Sequence, residues 1–183
     1  MQIKIADIIY ETTSDMPGFS TSIYCQGCGH HCKNCHNPQT WDFDDGKYYS
    51  VEELFDIIVN EPFSDVTFTG GDPMFQVEAC MELAKFAKEK KLSVWCYTGF
   101  TFEELLEMSK NNKKIIEFLN YIDVLIDGKF VLEKKSLDVK FRGSTNQRII
   151  DVKRSLEEEK TILLDKYNEN KKEFNTKPKY MFV

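Results

Sequence analysis

Four of the six cysteines in this 183-residue chain fall between Cys25 and Cys35, in the run FSTSIYCQGCGHHCKNCHNPQTW, with the spacing C-x2-C-x3-C-x2-C. Thiolates this close can ligate one metal centre from a single loop, and Gly27 and Gly29 allow the tight turns that bring the sulfurs together. Several readings of the cluster stay open on spacing alone. A structural zinc site normally takes two pairs of ligands separated by a longer insert, whereas here the second pair begins almost at once. A disulfide framework conflicts with the opening MQIKIADIIYETTSD, which has no apolar leader and points to a reducing compartment, where clustered thiols mean metal binding or catalysis. An iron–sulfur cluster closed by all four cysteines would use neither the bacterial nor the plant-type ferredoxin spacing. His30 and His31 lie between the cysteines and read as loop residues near a ligand, with imidazole ligation as the alternative.

The triad Cys28, Cys32 and Cys35, C-x3-C-x2-C, resembles the signature of radical S-adenosylmethionine (SAM) enzymes. That resemblance implies a 4Fe-4S cluster on these three cysteines, with one iron left open to chelate the methionine end of SAM. An electron passed to the sulfonium then breaks a C–S bond. The run CHNPQTWD, from Cys35 to Asp42, looks like that of the glycyl-radical-enzyme activases. The approach MPGFSTSIY, Thr69-Gly-Gly-Asp-Pro, Tyr97-Thr-Gly-Phe and Arg142-Gly-Ser-Thr-Asn-Gln-Arg are similar to motifs of the activating proteins of anaerobic ribonucleoside-triphosphate reductase, and the similarity covers about residues 1 to 153.

The resemblance implies a SAM site formed by Gly70, Gly71, Asp72, Thr98 and Asp127, with Asp72 offering its carboxylate to the SAM ammonium group. Glycines without a Cβ would let the ligand approach the backbone, so Gly71→Val is expected to weaken SAM binding without removing iron. Asn34 stands where many radical SAM sequences carry an aromatic residue beside the adenine, so adenine contact falls to the backbone there or to His36. Arg142, Asn146 and Arg148 are the expected contacts to substrate or partner. Cys25 departs from the family pattern and reads as a small core thiol at a strand end; Cys80 and Cys96 lie in apolar helix and strand patterns and read as buried.

The elements that must position these groups alternate along the chain. Ile3, Ile5, Ile8 and Ile9 mark a strand, and Phe19 to Tyr24 marks a second that delivers the cysteine loop. Ser50 and Glu53 form a capping box before the apolar stripe Val51, Leu54, Phe55 and Ile58, with Pro62 after its end. Asp65 to Thr69 reads as a strand, Phe75 to Lys90 as a helix, Leu92 to Tyr97 as a strand, and Thr101 with Glu104 as the cap of a helix carrying Phe102, Leu105 and Leu106. Further strands are expected over Tyr121 to Asp127 and Ile149 to Val152. Each motif follows a strand, as ligand groups do at the C-terminal ends of parallel α/β sheets. The chain is too short for eight full βα units, so the expected fold is α/β, an incomplete parallel β/α barrel of the radical SAM type, open on one side. Its domain is expected to span residues 1 to 153, with a charged helix and tail over 154 to 183.

Composition narrows the partners. The chain is 42% hydrophobic, enough for one core, and its net charge of −6 with dispersed Lys and Arg excludes the basic stripe of a nucleic-acid binder. No apolar run approaches the roughly 18 residues a membrane span needs, so a cytoplasmic protein is expected. The resemblance implies anaerobic ribonucleoside-triphosphate reductase as protein substrate and reduced flavodoxin or ferredoxin as electron donor. A glycyl-radical activase of the pyruvate formate-lyase type and a non-catalytic iron–sulfur electron carrier are the alternatives, and the carrier would have no need of the Gly-Gly-Asp-Pro motif.

Overall fold

The structure, a computed structural model, describes residues 1–61 and 64–168. Pro62 and the charged end from residue 169 onward lie outside the described residues. Seven strands form one sheet in the order β3-β1-β2-β4-β5-β6-β7: β1 (Gln2–Thr12), β2 (Ser20–Cys25), β3 (Lys47–Ser50), β4 (Asp65–Gly70), β5 (Val94–Tyr97), β6 (Val124–Asp127) and β7 (Arg148–Asp151). The sheet stays open, with β3 and β7 as its edges, and has the form of an incomplete β/α barrel.

The four central strands β2, β4, β5 and β6 are parallel, while β1, β3 and β7 run antiparallel to their neighbours. The expected incomplete parallel β/α barrel is thus present in the central strands, with antiparallel strands added at both edges. Residues 13–19, which join β1 to β2, are too few for the dozen or more that a parallel crossover needs, so those strands pair as a hairpin. The antiparallel course of β7 has a consequence for the site. It begins, rather than ends, beside the C-terminal end of β6, with Arg148 opposite Asp127, and this brings residues 142–147 to the face that carries the other motifs.

Helices α1 (Val51–Asn60), α2 (Val77–Glu89), α3 (Phe102–Ser109) and α4 (Lys113–Leu119) lie between the strands. Both capping boxes form: Ser50 Oγ accepts from Glu53 N at 3.1 Å and Thr101 Oγ1 from Glu104 N at 3.2 Å, with each glutamate returning to the cap backbone. Because successive strand residues face opposite ways, each strand serves two layers. Ile23, Phe68, Val94, Cys96, Leu125 and Ile150 point to the helices and form the main core with Leu54, Leu83, Leu105 and Phe118. The opposite face has a smaller cluster, Met16, Trp95, Val124, Ile126 and Ile149, and beyond it the sheet is uncovered by α1–α4.

After β7 come α5 (Val152–Glu157) and α6 (Asp165–Asn168), and this segment packs back on the sheet. Tyr167 meets Trp95 and Phe141 with ring centroids 5.8 and 5.5 Å apart, and Asn168 exchanges side-chain hydrogen bonds with Ile149 N and O at 3.0 and 2.7 Å. Among the described residues no helix is long and apolar enough to cross a membrane.

Candidate active site

The cysteine loop leaves β2 at Cys25 and is stapled to its surroundings by backbone groups. Gly27 N donates to Thr40 O at 2.8 Å, Cys28 N to Trp41 O at 3.1 Å, Gly71 N to Cys25 O at 2.8 Å and Asp72 N to Gly27 O at 3.0 Å. Gln26, buried, donates its side-chain amide to Asp42 O at 2.7 Å, and Gln76 donates to Gln26 O at 2.9 Å. The loop therefore sits on the ends of β2 and β4 as a fixed piece.

Beside it opens a cleft of about 390 Å³. Cys28, Cys32 and Cys35 line it together with the strand ends Gly70-Gly71, Thr98-Gly99 and Gly128-Lys129-Phe130. Each of the three sulfurs is met by a backbone N–H, that of His30 at Cys28, Phe130 at Cys32 and Asn37 at Cys35, the last at 3.4 Å. Burial pushes the Cys28 thiol up to about 11 and the Cys32 thiol up as well, against the pull of those N–H groups. A bound cation reverses that preference and holds such thiols as thiolates, and N–H donors to the sulfurs are one of the levers that tune a cluster. Among the described residues no three His, Cys, Asp or Glu side chains converge on a single-ion site. A 4Fe-4S cluster places each thiolate on a different iron, and the three cysteines that line this one cleft are a donor set of the kind such a cluster takes. Cys25 is turned away: it is fully buried in the main core with its Sγ 3.7 Å from that of Cys80.

The residues singled out from the sequence divide into those that reach the cleft and those that do not. Gly70, Gly71, Thr98, His36 and Arg142 line it. His36 packs on Phe130 at 5.0 Å. Asn34 is exposed with a left-handed φ of 58° and lies outside the lining. Asp72 needs a correction. Its side chain is fully buried, with Oδ1 accepting from Met74 N at 2.9 Å and Oδ2 from Thr98 Oγ1 and Gly99 N at 2.9 Å each, so its acceptors point into the protein rather than toward an ammonium group in the cleft.

The role expected of the glycines is corrected too. A Cβ at Gly71 would lie 2.4 Å from Gly27 O and 2.9 Å from Cys25 O, and one at Gly70, where φ is +91°, would lie 2.7 Å from Tyr24 Cα. The missing side chains make room for the cysteine loop and β2, while the ligand side of these residues presents backbone.

Asp127 and Arg148 correct each other. Asp127 is buried outside the lining, and its carboxylate accepts from Phe102 N at 2.8 Å and from Arg148 Nε at 3.0 Å, with a second contact to the Arg148 Nη2. Arg148 also donates twice to Glu103, at 3.1 and 2.6 Å, so this guanidinium joins β6, α3 and β7 instead of facing a partner. Asn146 donates to Lys129 O at 2.8 Å and does not line the cleft. Arg142 donates to Gln147 O at 3.0 Å and Tyr167 O at 2.9 Å, and burial lowers its pKa.

The Arg148 clamp has a measurable consequence. Hydrogen bonding to Arg148 is the main cause that holds the Glu103 carboxyl down at about 2 from its ordinary 4.5, with Thr161 assisting and burial opposing. A depressed folded-state value means that stability from this contact is present above pH 4.5 and is lost as pH falls toward 2. The Tm difference between the wild type and Glu103→Gln is expected to shrink through that window. Glu103 is 57% exposed, so the full effect stays under about 1 kcal/mol. A difference that is flat from pH 5 to 2 would refute the assignment.

Sequence reasoning missed several lining residues. Asp15 takes Ser22 Oγ at 2.6 Å on its carboxylate and Tyr97 OH at 2.7 Å on its carbonyl, which puts it in the cleft beside Tyr24 and Tyr97. Burial, with Asp15 next, pushes the Tyr24 hydroxyl up to about 12 and raises that of Tyr97, so both stay protonated. No local signal marked Asp15, whose partners are on two other strands.

A family profile described as a 4Fe-4S single cluster domain matches residues 15–150, and the chain belongs to that family of cluster-binding domains. Curated relatives narrow it further. An anaerobic ribonucleoside-triphosphate reductase-activating protein from Vibrio cholerae is 33% identical over 142 residues, covering 73% of this chain and 88% of the relative. The protein of the same name from Enterobacteria phage T4 is also 33% identical over 142 residues, covering 73% and 84%. A pyruvate formate-lyase-activating enzyme from Clostridium pasteurianum is 32% identical over 116 residues, covering 60% of this chain and 49% of that one. The chain is thus a member of the family of anaerobic ribonucleoside-triphosphate reductase-activating proteins. Among solved structures, QueE from Escherichia coli overlaps over 55% of this chain and 54% of its own, with a TM-score of 0.42 and 20% identity.

Proposed function

We propose that this protein is a radical SAM activase that installs the glycyl radical of anaerobic ribonucleoside-triphosphate reductase. The observation that carries the reading is the cleft itself: three cysteines of the C-x3-C-x2-C run share it with glycine-bearing strand ends, while Cys25 is turned into the core. Cys28, Cys32 and Cys35 would hold a 4Fe-4S cluster, and SAM would lie across Gly70-Gly71, Thr98-Gly99 and Gly128-Lys129. Bound together, this cofactor pair supplies reductive cleavage of SAM, with an electron from reduced flavodoxin or ferredoxin, and abstraction of a hydrogen atom from a backbone glycine of the partner.

The chain's own share is binding, orientation and exclusion of water. Backbone N–H groups at the three sulfurs favour the ligating thiolates. Tyr24, Tyr97 and Phe141 wall the cleft on the face of the sheet that α1–α4 leave uncovered, and the glycine-bearing loop of the partner would enter there and close the site. Closure matters because a reactive carbon radical exposed to solvent would be lost to side reactions. Arg142, in the cleft lining, is the residue to meet that loop or the cofactor, and Asn146 supports the lining from behind through its bond to Lys129 O.

Mixing the anaerobically reduced protein with SAM and the reductase is expected to give a glycyl-radical doublet in the electron paramagnetic resonance spectrum, with 5′-deoxyadenosine formed alongside. A doublet obtained only with a pyruvate formate-lyase-type enzyme would keep the activase and change its target. If no doublet forms with either partner and SAM is never cleaved, the enzyme reading gives way to that of an electron carrier.

A further inference from the structure

Behind the cleft, one carboxylate joins segments that the chemistry needs in register. Asp72 Oδ2 stands 2.8 Å from His30 Nε2 and also accepts from Thr98 Oγ1 and Gly99 N, while Oδ1 holds Met74 N. The Asp72 side chain, 1% exposed, is buried behind the cleft wall, whereas His30, 7% exposed, forms part of that wall. The imidazole is wedged against Phe100, centroids 4.5 Å apart, and fills the space in front of Gly99, where a Cβ would fall 2.3 Å from His30 Cδ2. Through the chain itself His30 is tied to Cys28, two residues before it on the same cysteine loop. A continuous path therefore runs from Cys28 along the loop to His30, from the imidazole to Asp72, and from there to Thr98 and Gly99 in the cleft wall.

We propose that His30 and Asp72 are a positioning pair: their contact sets where Cys28 stands relative to the Thr98-Gly99 wall, and so governs how SAM lies against the cluster, although the Asp72 carboxylate does not face the cleft. The inference rests on the reading that the cleft holds a cluster and SAM. Its physical basis is that a buried carboxylate with several donors is costly to leave half-satisfied, so losing His30 disturbs Thr98 and Gly99, and losing Asp72 disturbs the cysteine loop. Such supporting contacts typically change affinity or activity by about 10–100-fold when removed.

The test uses the reconstituted full chain with His30→Ala, His30→Gln, Asp72→Asn and the double variant His30→Ala/Asp72→Asn. Three quantities are read: iron and sulfide content, SAM affinity by anaerobic calorimetry, and the change that SAM produces in the electron paramagnetic resonance spectrum of the reduced cluster. His30→Ala and Asp72→Asn are each expected to keep iron, to bind SAM about 10-fold or more weakly, and to show a diminished spectral change even at saturating SAM. The losses of the two singles should not multiply in the double variant, because the His30–Asp72 contact is common to both. His30→Gln, whose side-chain amide can still reach Asp72, should recover most of the affinity and the spectral change.

A loss of SAM binding in Asp72→Asn with none in His30→Ala, or losses that multiply in the double variant, would overturn the pair and make Asp72 a ligand in its own right. Should the Asp72 variants fail to fold, the contrast of His30→Ala with His30→Gln decides: two proteins alike in affinity and spectrum overturn the proposal. Wild-type protein that takes up no iron, or iron but no SAM, overturns the cofactor reading and the pair with it. Wild type that binds both, with variants that match it, overturns the pair alone.

Discussion

Alanine at Cys28, Cys32 or Cys35 is expected to bring the iron and sulfide content of the anaerobically reconstituted protein to background, while Cys25→Ala keeps the cluster. The three sulfurs share one cleft and each is met by a backbone N–H, whereas Cys25 Sγ faces Cys80 in the core. Cys25→Ala leaves a small void beneath the loop, worth about 1 kcal/mol of stability, which a thermal melt would register. Glycyl-radical formation should fall to background in the three cleft variants. Iron loss in Cys25→Ala together with iron retention in Cys28→Ala would show that the ligand set has been drawn wrongly.

Gly71→Ala is expected to have the second largest effect, and on iron as well as on SAM. The new methyl would lie 2.4 Å from Gly27 O, an atom of the cysteine loop's backbone that no rotamer change can move aside. Overpacking of this kind costs about 1–3 kcal/mol where the surroundings can adjust. Here the surroundings are the loop that carries the ligands, held by the Gly71 N–Cys25 O and Asp72 N–Gly27 O bonds, so the adjustment displaces Cys28. Gly18→Ala is the control: Gly18 has a positive φ of +85°, unlike Gly71, and nothing lies within 4 Å of its added Cβ, so only backbone strain of about 1–2 kcal/mol is expected and iron should stay. Normal iron content with weakened SAM binding in Gly71→Ala would restore the view that this glycine makes room for the ligand.

Much of the architecture was legible because it is written in short spacings. The two members of each capping box are three residues apart, the apolar stripes repeat along single helices, and each glycine motif directly follows the strand that delivers it. The edges of the sheet were less legible. β3 has only four residues and no apolar alternation, and it forms by pairing with β1. The direction of β7 depends on the path of residues 128–147, which carry no long helix to return the chain for a parallel strand.

The site divides along the same line. By itself the sequence determined that three cysteines at C-x3-C-x2-C would stand together at a strand end, because ligands within one short loop converge whatever the rest of the chain does. Only the tertiary structure decided which neighbours face the ligand and which hold the wall. Asp72 and Asp127 both follow strands, as ligand groups do, yet one is turned to His30, Thr98 and Gly99 and the other to Arg148 and Phe102. Asp15, unmarked in sequence, reaches the cleft through Tyr97, 82 residues away. The physical reason is that a buried carboxylate must find donors, and those donors arrive from other strands, so the side chain's direction is set by contacts that no local pattern contains.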